Sequence, residues 1–192
     1  MDKPWVTIIG LNEDGVAGLS DASRAALAQA EIIFGGPRHL ALVQAGDKGR
    51  AWPIPFSIAP VLACEGQAVV VLASGDPFWH GAGGSLTAHL PRDAWQAFPA
   101  PSTFQLAAAR LGWRMEEITC HGLHAAPFAR LRPVLTKGQR AICLLRDGDA
   151  AKALADWLTA QGLAADLVCW NRWVARMNAS GAQPRKPLIW QT

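Results

Sequence analysis

The segment Val69–Gly84, VVVLASGDPFWHGAGG, constrains the fold more than any other part of this sequence. Val69–Leu72 is a β-branched apolar run that continues into small residues, the mark of a strand buried on both faces in a parallel sheet. The run breaks at Ser74-Gly75-Asp76-Pro77 and enters a glycine-rich stretch. Open α/β sheets bind ligands in the crevice outside the carboxyl ends of their strands, so the break predicts an α/β fold with a strand end facing a ligand. Gly75 lets the backbone approach that ligand closely, and Asp76-Pro77 fits a helix N-cap followed by the first helical residue. No Gly-Lys-Ser/Thr follows, which excludes a Walker-type phosphate loop.

The rest of the chain alternates in the same way. Val6–Gly10 reads as a strand, Asn12–Gly15 as a turn, and Asp21–Ala30 as an alanine-rich helix capped by Ser20 or Asp21. Glu31–Phe34 is a second strand stopped by Gly35-Gly36-Pro37, and Arg38–Ala45 is helical. Pro99-Ala100-Pro101 is the best linker, since two prolines in three residues fit neither kind of element. A helix follows over Thr103–Leu111, with Ser102 as N-cap and Gly112 beyond its end. Ala141–Leu145 is another buried strand and Ala150–Thr159 an amphipathic helix ending before Gly162. Strands alternating with helices on both sides of the linker predict two α/β domains, residues 1–98 and 103–192.

Composition narrows the function classes. Half of the 192 residues are hydrophobic and 17% are charged, as in a compact globular protein. A net charge of +3 without a clustered basic stripe argues against nucleic acid and suits an anionic small molecule. No signal segment and no apolar run near the ~18 residues of a membrane span are visible, so the expected location is cytoplasmic, away from membranes. Cys64, Cys120, Cys143 and Cys169 form no C-x-x-C pair; they read as small buried apolar residues, with no metal expected.

Four segments together resemble the tetrapyrrole methylases: Ile8–Gly15 (IIGLNEDG), Gly35–Leu40 (GGPRHL), Ser74–Gly84, and Pro99–Gly112 (PAPSTFQLAAARLG). Cys120-His121-Gly122 is similar to a short His-Gly signature of one branch, whose members methylate C5 of the corrin precursor precorrin-6B or its cobalt analogue. The resemblance implies the class III methyltransferase fold, with two α/β domains and S-adenosylmethionine (SAM) in a cleft between them. It also implies a homodimer, an anionic tetrapyrrole substrate, and a C15-methylating, decarboxylating partner domain in fused versions. Methyl transfer from a sulfonium asks the protein to position, desolvate and deprotonate, in keeping with the lack of a nucleophile-base signature here.

On this reading Leu11, Gly75, Asp76, Pro77, Trp79, Ser102, Thr103 and Leu145 hold the cofactor, which leaves as S-adenosylhomocysteine (SAH). Arg38 and Arg130 bind substrate carboxylates, and His121 is the base. Each has a plainer alternative. Asp76 and Ser102 cap helices, Arg38 and His39 form a solvated helix start, Trp79 fills core, and a lone histidine is more often structural. His80, His89 and His124 read as surface or structural residues. His121 is placed between a helix and the next strand, with Gly122 turning its ring inward.

From Cys169 the character changes, and Trp170, Trp173 and Trp190 crowd a stretch without helix or strand periodicity. The resemblance implies Leu-Glu-x-x-Gly-x-x-x-Glu there. Read from the third base of each codon, Cys169/Trp170 must give Leu, Trp170/Asn171 Glu, Trp173/Val174 Gly and Met177/Asn178 Glu. The spacing is the family's, so a frameshifted tail is expected. Three other readings stand beside the leading one: methylation of another precorrin or uroporphyrinogen position, a cofactor-binding relative that has lost catalysis, and a nicotinamide-binding module. The last is disfavoured because Gly10-x-x-x-x-Gly15 lacks the G-x-G-x-x-G spacing.

Overall fold

The computed structural model describes residues 4–136 and 138–163, and the chain divides into two compact units, Met1–Thr103 and Phe104–Thr192. The first unit is built on a five-stranded sheet of β1 (Val6–Leu11), β2 (Ile32–Gly35), β3 (Gly49–Ala51), β4 (Val69–Ser74) and β5 (Trp95–Phe98). The strand order is β3-β2-β4-β1-β5 and every pair is parallel. Four helices connect the strands: α1 (Asp21–Gln29), α2 (Pro37–Leu42), α3 (Ala59–Leu62) and α4 (Ala82–Thr87).

The two-residue period of a strand divides the apolar side chains between the faces of this sheet. Ile9, Leu11, Ile33, Val70 and Leu72 pack with Leu19, Ala30, Val43 and the side chains of α1 and α2. Val6, Ile8, Phe34, Val69 and Val71 pack with Val61 of α3 and Leu86 of α4. With both faces covered, β1 and β4 read as continuous apolar runs.

In the second unit β6 (Ile118–Gly122) and β7 (Arg140–Leu144) form a parallel pair flanked by α5 (Thr103–Leu111) and α6 (Gly148–Ala160). Ile118, Cys120, Ile142 and Leu144 pack with Phe104, Ala107 and Ala108 of α5. Cys143 and Leu145 pack in the cluster of Leu154 and Leu158 of α6. Helix α5 ends in a Schellman motif, in which Gly112 N–H donates to the Ala109 carbonyl at 3.3 Å and Trp113 N–H to the Ala108 carbonyl at 2.9 Å.

Several sequence expectations need correction. Cys120-His121-Gly122 is not a connection between helix and strand but the end of β6. Ile118 and Thr119 start that strand, and His121 sits opposite Cys143 in the ladder. Strands β3 and β5 escaped the pattern because GRA and WQAF lack a buried apolar run. Helix α2 starts one residue early, with Pro37 in its first turn, and stops at Leu42. The tail from Cys169, with its reading-frame hypothesis, lies outside the described residues. Among the described residues no helix is long and apolar enough to cross a membrane.

Candidate functional site

Connectivity singles out one end of the first sheet. The chain leaves β1 toward β2, passing β4, and leaves β4 toward β5, passing β1. Departures in opposite directions open a crevice between the carboxyl ends of β1 and β4, the switch point at which such sheets bind ligands.

The backbone there is tightly stitched. Gly75 N–H donates to the Leu11 carbonyl at 3.0 Å, and Ala100 N–H donates to the Gly75 carbonyl at 3.1 Å. A Cβ on Gly10 would lie 1.9 Å from the Gly75 oxygen and 2.4 Å from the Ala100 nitrogen. Gly75 has φ +57°, and a Cβ on it would lie 2.9 Å from both the Pro101 oxygen and the Ser102 Cα. Only glycine meets both demands at these positions. Three predicted cofactor segments (Leu11, Gly75-Asp76-Pro77 and Ser102-Thr103) are thereby brought to one place, and Ser102 is buried there.

Asp76 does not cap a helix. Its Oδ1 accepts from Phe78 N–H at 2.9 Å, closing an Asx turn. The Pro77 carbonyl accepts from Gly83 N–H at 2.9 Å, and helix α4 begins only at Ala82, after Gly81. The carboxylate thus turns the chain once more before the helix starts. Trp79 does not fill core either: it is 36% exposed and its neighbour Phe78 46%. His80, in the same loop, has φ +61°, a left-handed conformation uncommon outside glycine.

Beside this loop lies a polar cluster that the sequence reading only half anticipated. Ser74 closes β4 on the face that carries Leu72 and α2. Its Oγ receives a hydrogen bond from Arg38 Nη2 at 3.2 Å and lies 2.8 Å from His39 Nε2. Arg38 also makes an ion pair with Glu13, from the loop after β1, and its Nη2 lies 3.4 Å from His39 Nε2. His39 Nδ1 is buried without a hydrogen-bond partner. Burial, and then the adjacent guanidinium, hold the His39 imidazole below its ordinary value of 6.5, so the ring is neutral at neutral pH. His39 is half-buried, not a solvated helix start. The sequence signal for it is its place in Gly-Gly-Pro-Arg-His-Leu, directly after Arg38.

The remaining predicted residues belong to the second unit. Leu145 follows β7 and packs in that unit's apolar cluster. Arg130 is exposed on a 3-10 turn spanning Phe128–Val134. His121 Nε2 is buried without a partner, and burial lowers the pKa of its ring from 6.5. Burial, followed by the neighbouring Cys120, pushes the Cys143 thiol up to about 12. Among the described residues no cluster of three or more His, Cys, Asp or Glu side chains could hold a metal. A cavity of about 380 Å³ lies at the opposite end of the first sheet, under α1, lined by residues including Thr7, Ala26, Gln29 and Gln96. Its lining holds no ionisable side chain, which leaves it without reactive chemistry.

The family model of Tetrapyrrole (Corrin/Porphyrin) Methylases matches residues 6–172. A Precorrin-6Y C(5,15)-methyltransferase [decarboxylating] from Sinorhizobium sp. is 41% identical over 164 residues, covering 83% of this chain and 40% of that protein. The chain therefore spans about two fifths of the length of that curated relative. A Cobalt-precorrin-7 C(5)-methyltransferase from Salmonella typhimurium is 30% identical over 123 residues, covering 62% of this chain and 61% of its own. In fold, the chain is similar to the crystal structure of a cobalamin biosynthesis precorrin-6Y methylase from Archaeoglobus fulgidus, with a TM-score of 0.56, 23% identity and 72% of each chain covered.

Proposed function

We propose, because this chain belongs to the tetrapyrrole (corrin/porphyrin) methylases, that it transfers a methyl group from SAM to C5 of a corrin precursor, precorrin-6B or its cobalt analogue. The observation that carries the proposal is the stitched crevice at the ends of β1 and β4. Its floor is bare backbone at Gly10 and Gly75, and a carboxylate, Asp76, stands beside it. Main-chain groups with one acid suit a small cofactor bearing a positive sulfonium better than a polyphosphate, which calls for a basic side chain or a run of N–H donors.

SAM, when bound, supplies an electrophilic methyl group. Leu11, Gly75, Asp76, Pro77, Trp79, Ser102 and Thr103 of the first unit would hold it. Arg38 meets carboxylates of the anionic tetrapyrrole, for which a guanidinium offers paired donors. Carbon methylation also releases a proton, which an unprotonated base takes up; burial holds the His39 and His121 rings below their ordinary value, which keeps them unprotonated near pH 7.

Support for C5 comes from the two relatives taken together. The protein named for both C5 and C15 matches over 40% of its length, and one named for C5 alone matches over 61%. We assign the chain to the C5-methylating part, acting as a homodimer and working with a C15-methylating, decarboxylating partner. The test is incubation with methyl-labelled SAM and precorrin-6B, followed by NMR mapping of the added carbon. Label at C5 supports the proposal; label at another ring position, or SAH binding without any transfer, overturns it.

A further inference from the structure

We infer that Ser74 and His39 form the pair that takes up the proton released in the proposed methylation, a role that rests on the methyltransferase reading. Arg38 can only donate hydrogen bonds, so its Nη2, 3.4 Å from His39 Nε2, favours the tautomer in which that nitrogen is unprotonated and its lone pair faces Ser74. The ring proton then sits on the buried Nδ1, and the Ser74 hydroxyl, 2.8 Å away, donates to Nε2. Ser74 Oγ at the same time accepts from Arg38 at 3.2 Å, and Glu13 holds that guanidinium from its other side.

This arrangement polarises the Ser74 hydroxyl away from the crevice and leaves a second oxygen lone pair for a proton arriving from it. The step is a relay: a substrate proton bonds to Ser74 Oγ as the hydroxyl's own proton moves to His39 Nε2, giving an imidazolium and an unchanged serine. Arg38 stabilises the oxygen while negative charge builds on it. Ser74 immediately precedes Gly75 and Asp76, so the oxygen lies at the crevice where the methyl donor is proposed to bind. The imidazolium, with a buried unpartnered N–H and a guanidinium as neighbour, readily gives its proton back to solvent and resets the pair.

Charged groups on the elements around α2 are Glu13 and Asp14 in the loop after β1, Arg50 on β3, and Asp76 beyond β4. Glu13 is joined to the cluster through its ion pair with Arg38. His121, the base expected from sequence, lies on β6 in the other unit.

The experiment compares Ser74→Ala, Ser74→Thr, His39→Gln and His121→Asn with the unaltered protein. Its readouts are kcat and KM against pH, SAH affinity by calorimetry, and the His39 imidazole titration by NMR. Loss of the pair lowers kcat by about 10²–10³-fold, removes the fall of kcat at acid pH, keeps SAH affinity within twofold, and is partly rescued in Ser74→Thr. In the unaltered protein the His39 titration is expected below the ordinary imidazole value, because of its burial and then the Arg38 guanidinium beside it. An acid limb that persists in both Ser74→Ala and His39→Gln, with kcat within threefold, makes the cluster a brace and overturns the inference. An acid limb lost only in His121→Asn assigns the proton to His121. Intact SAH binding with no turnover in the unaltered protein would defeat the methyltransferase reading, and the relay with it.

Discussion

Glycine 75 and arginine 38 carry the most at the scale of single residues. A side chain at Gly75 meets two penalties at once, a left-handed backbone and main-chain contacts at 2.9 Å. The first alone costs roughly 1–2 kcal/mol, and the second cannot be relieved by rotating a side chain because both contacts are with backbone. Gly75→Ala is expected to lower the thermal midpoint and to weaken SAH binding together, both readable in one calorimetric series. Arg38→Ala separates substrate from cofactor. Loss of a charge-assisted hydrogen bond costs on the order of 1.5–3 kcal/mol, so KM for the tetrapyrrole is expected to rise about tenfold or more, with kcat falling as well because Arg38 also donates to the Ser74 oxygen, while SAH affinity stays near its original value. Equal losses in both would make Arg38 purely structural. The turn at Gly75 was legible from a strand end followed by Gly-Asp-Pro, whereas the linker backbone at Pro101 and Ser102 that occupies the place of its side chain was not. Ser74 and His39 were not, since their pairing depends on α2 lying against the end of β4, a contact across 35 positions that no local pattern encodes.

Among elements, the strands with the strongest apolar runs were read correctly and the weak ones were missed for a physical reason. β1 and β4 are buried on both faces and declare themselves. β5, at the sheet edge beside β1, is merely half-buried along its length, and β6 shows the same half-burial. β7, expected as a buried strand over Ala141–Leu145, runs from Arg140 to Leu144 and buries only Ile142, so its apolar run and not its burial made it legible. Helix α1 was legible through its cap: the Ser20 hydroxyl accepts from Ser23 N–H at 3.1 Å, and Ser20→Ala is expected to cost about 1 kcal/mol by thermal denaturation. On β6 the testable quantity is acid sensitivity. Burial lowers the pKa of the His121 ring in the folded state from 6.5, so below that value the unfolded chain binds the proton that the native strand refuses. Stability is therefore full above the unfolded value and declines as pH falls toward the lowered folded one. His121→Asn removes this contribution. Its loss of thermal midpoint between roughly pH 7.5 and 5 should be shallower than that of the parent protein; parallel curves would mean that His121 titrates as freely in the fold as outside it.

At the level of the whole molecule the sequence carried the family, because four motifs at fixed spacing are more specific than any one of them. It did not carry the partner chemistry of the units, because a pattern of elements is shared by many functions. The family match ends at residue 172, close to Cys169, where the alternative reading frame restores the expected Leu-Glu-x-x-Gly-x-x-x-Glu. Resequencing the gene around Val168 tests that reading: an inserted or deleted base there supports it, and an unbroken frame with no related reading in the other frame removes it. The cofactor class admits a simpler check on the intact chain. A ligand that binds only the folded state stabilises it by mass action, about 2.7 kcal/mol when its concentration is a hundred times its dissociation constant. For a chain of this size that corresponds to a rise in thermal midpoint of roughly 5–10 °C. SAH is expected to give such a rise and NADH none, since the β1 turn lacks the glycine spacing that would let a dinucleotide pyrophosphate approach the backbone. Asp76→Ala should shrink the SAH response while the midpoint without ligand moves far less, because Asp76 closes an exposed turn and not a packed core. A rise with NADH in place of SAH would return the crevice to the nucleotide-binding class and end the methyltransferase assignment.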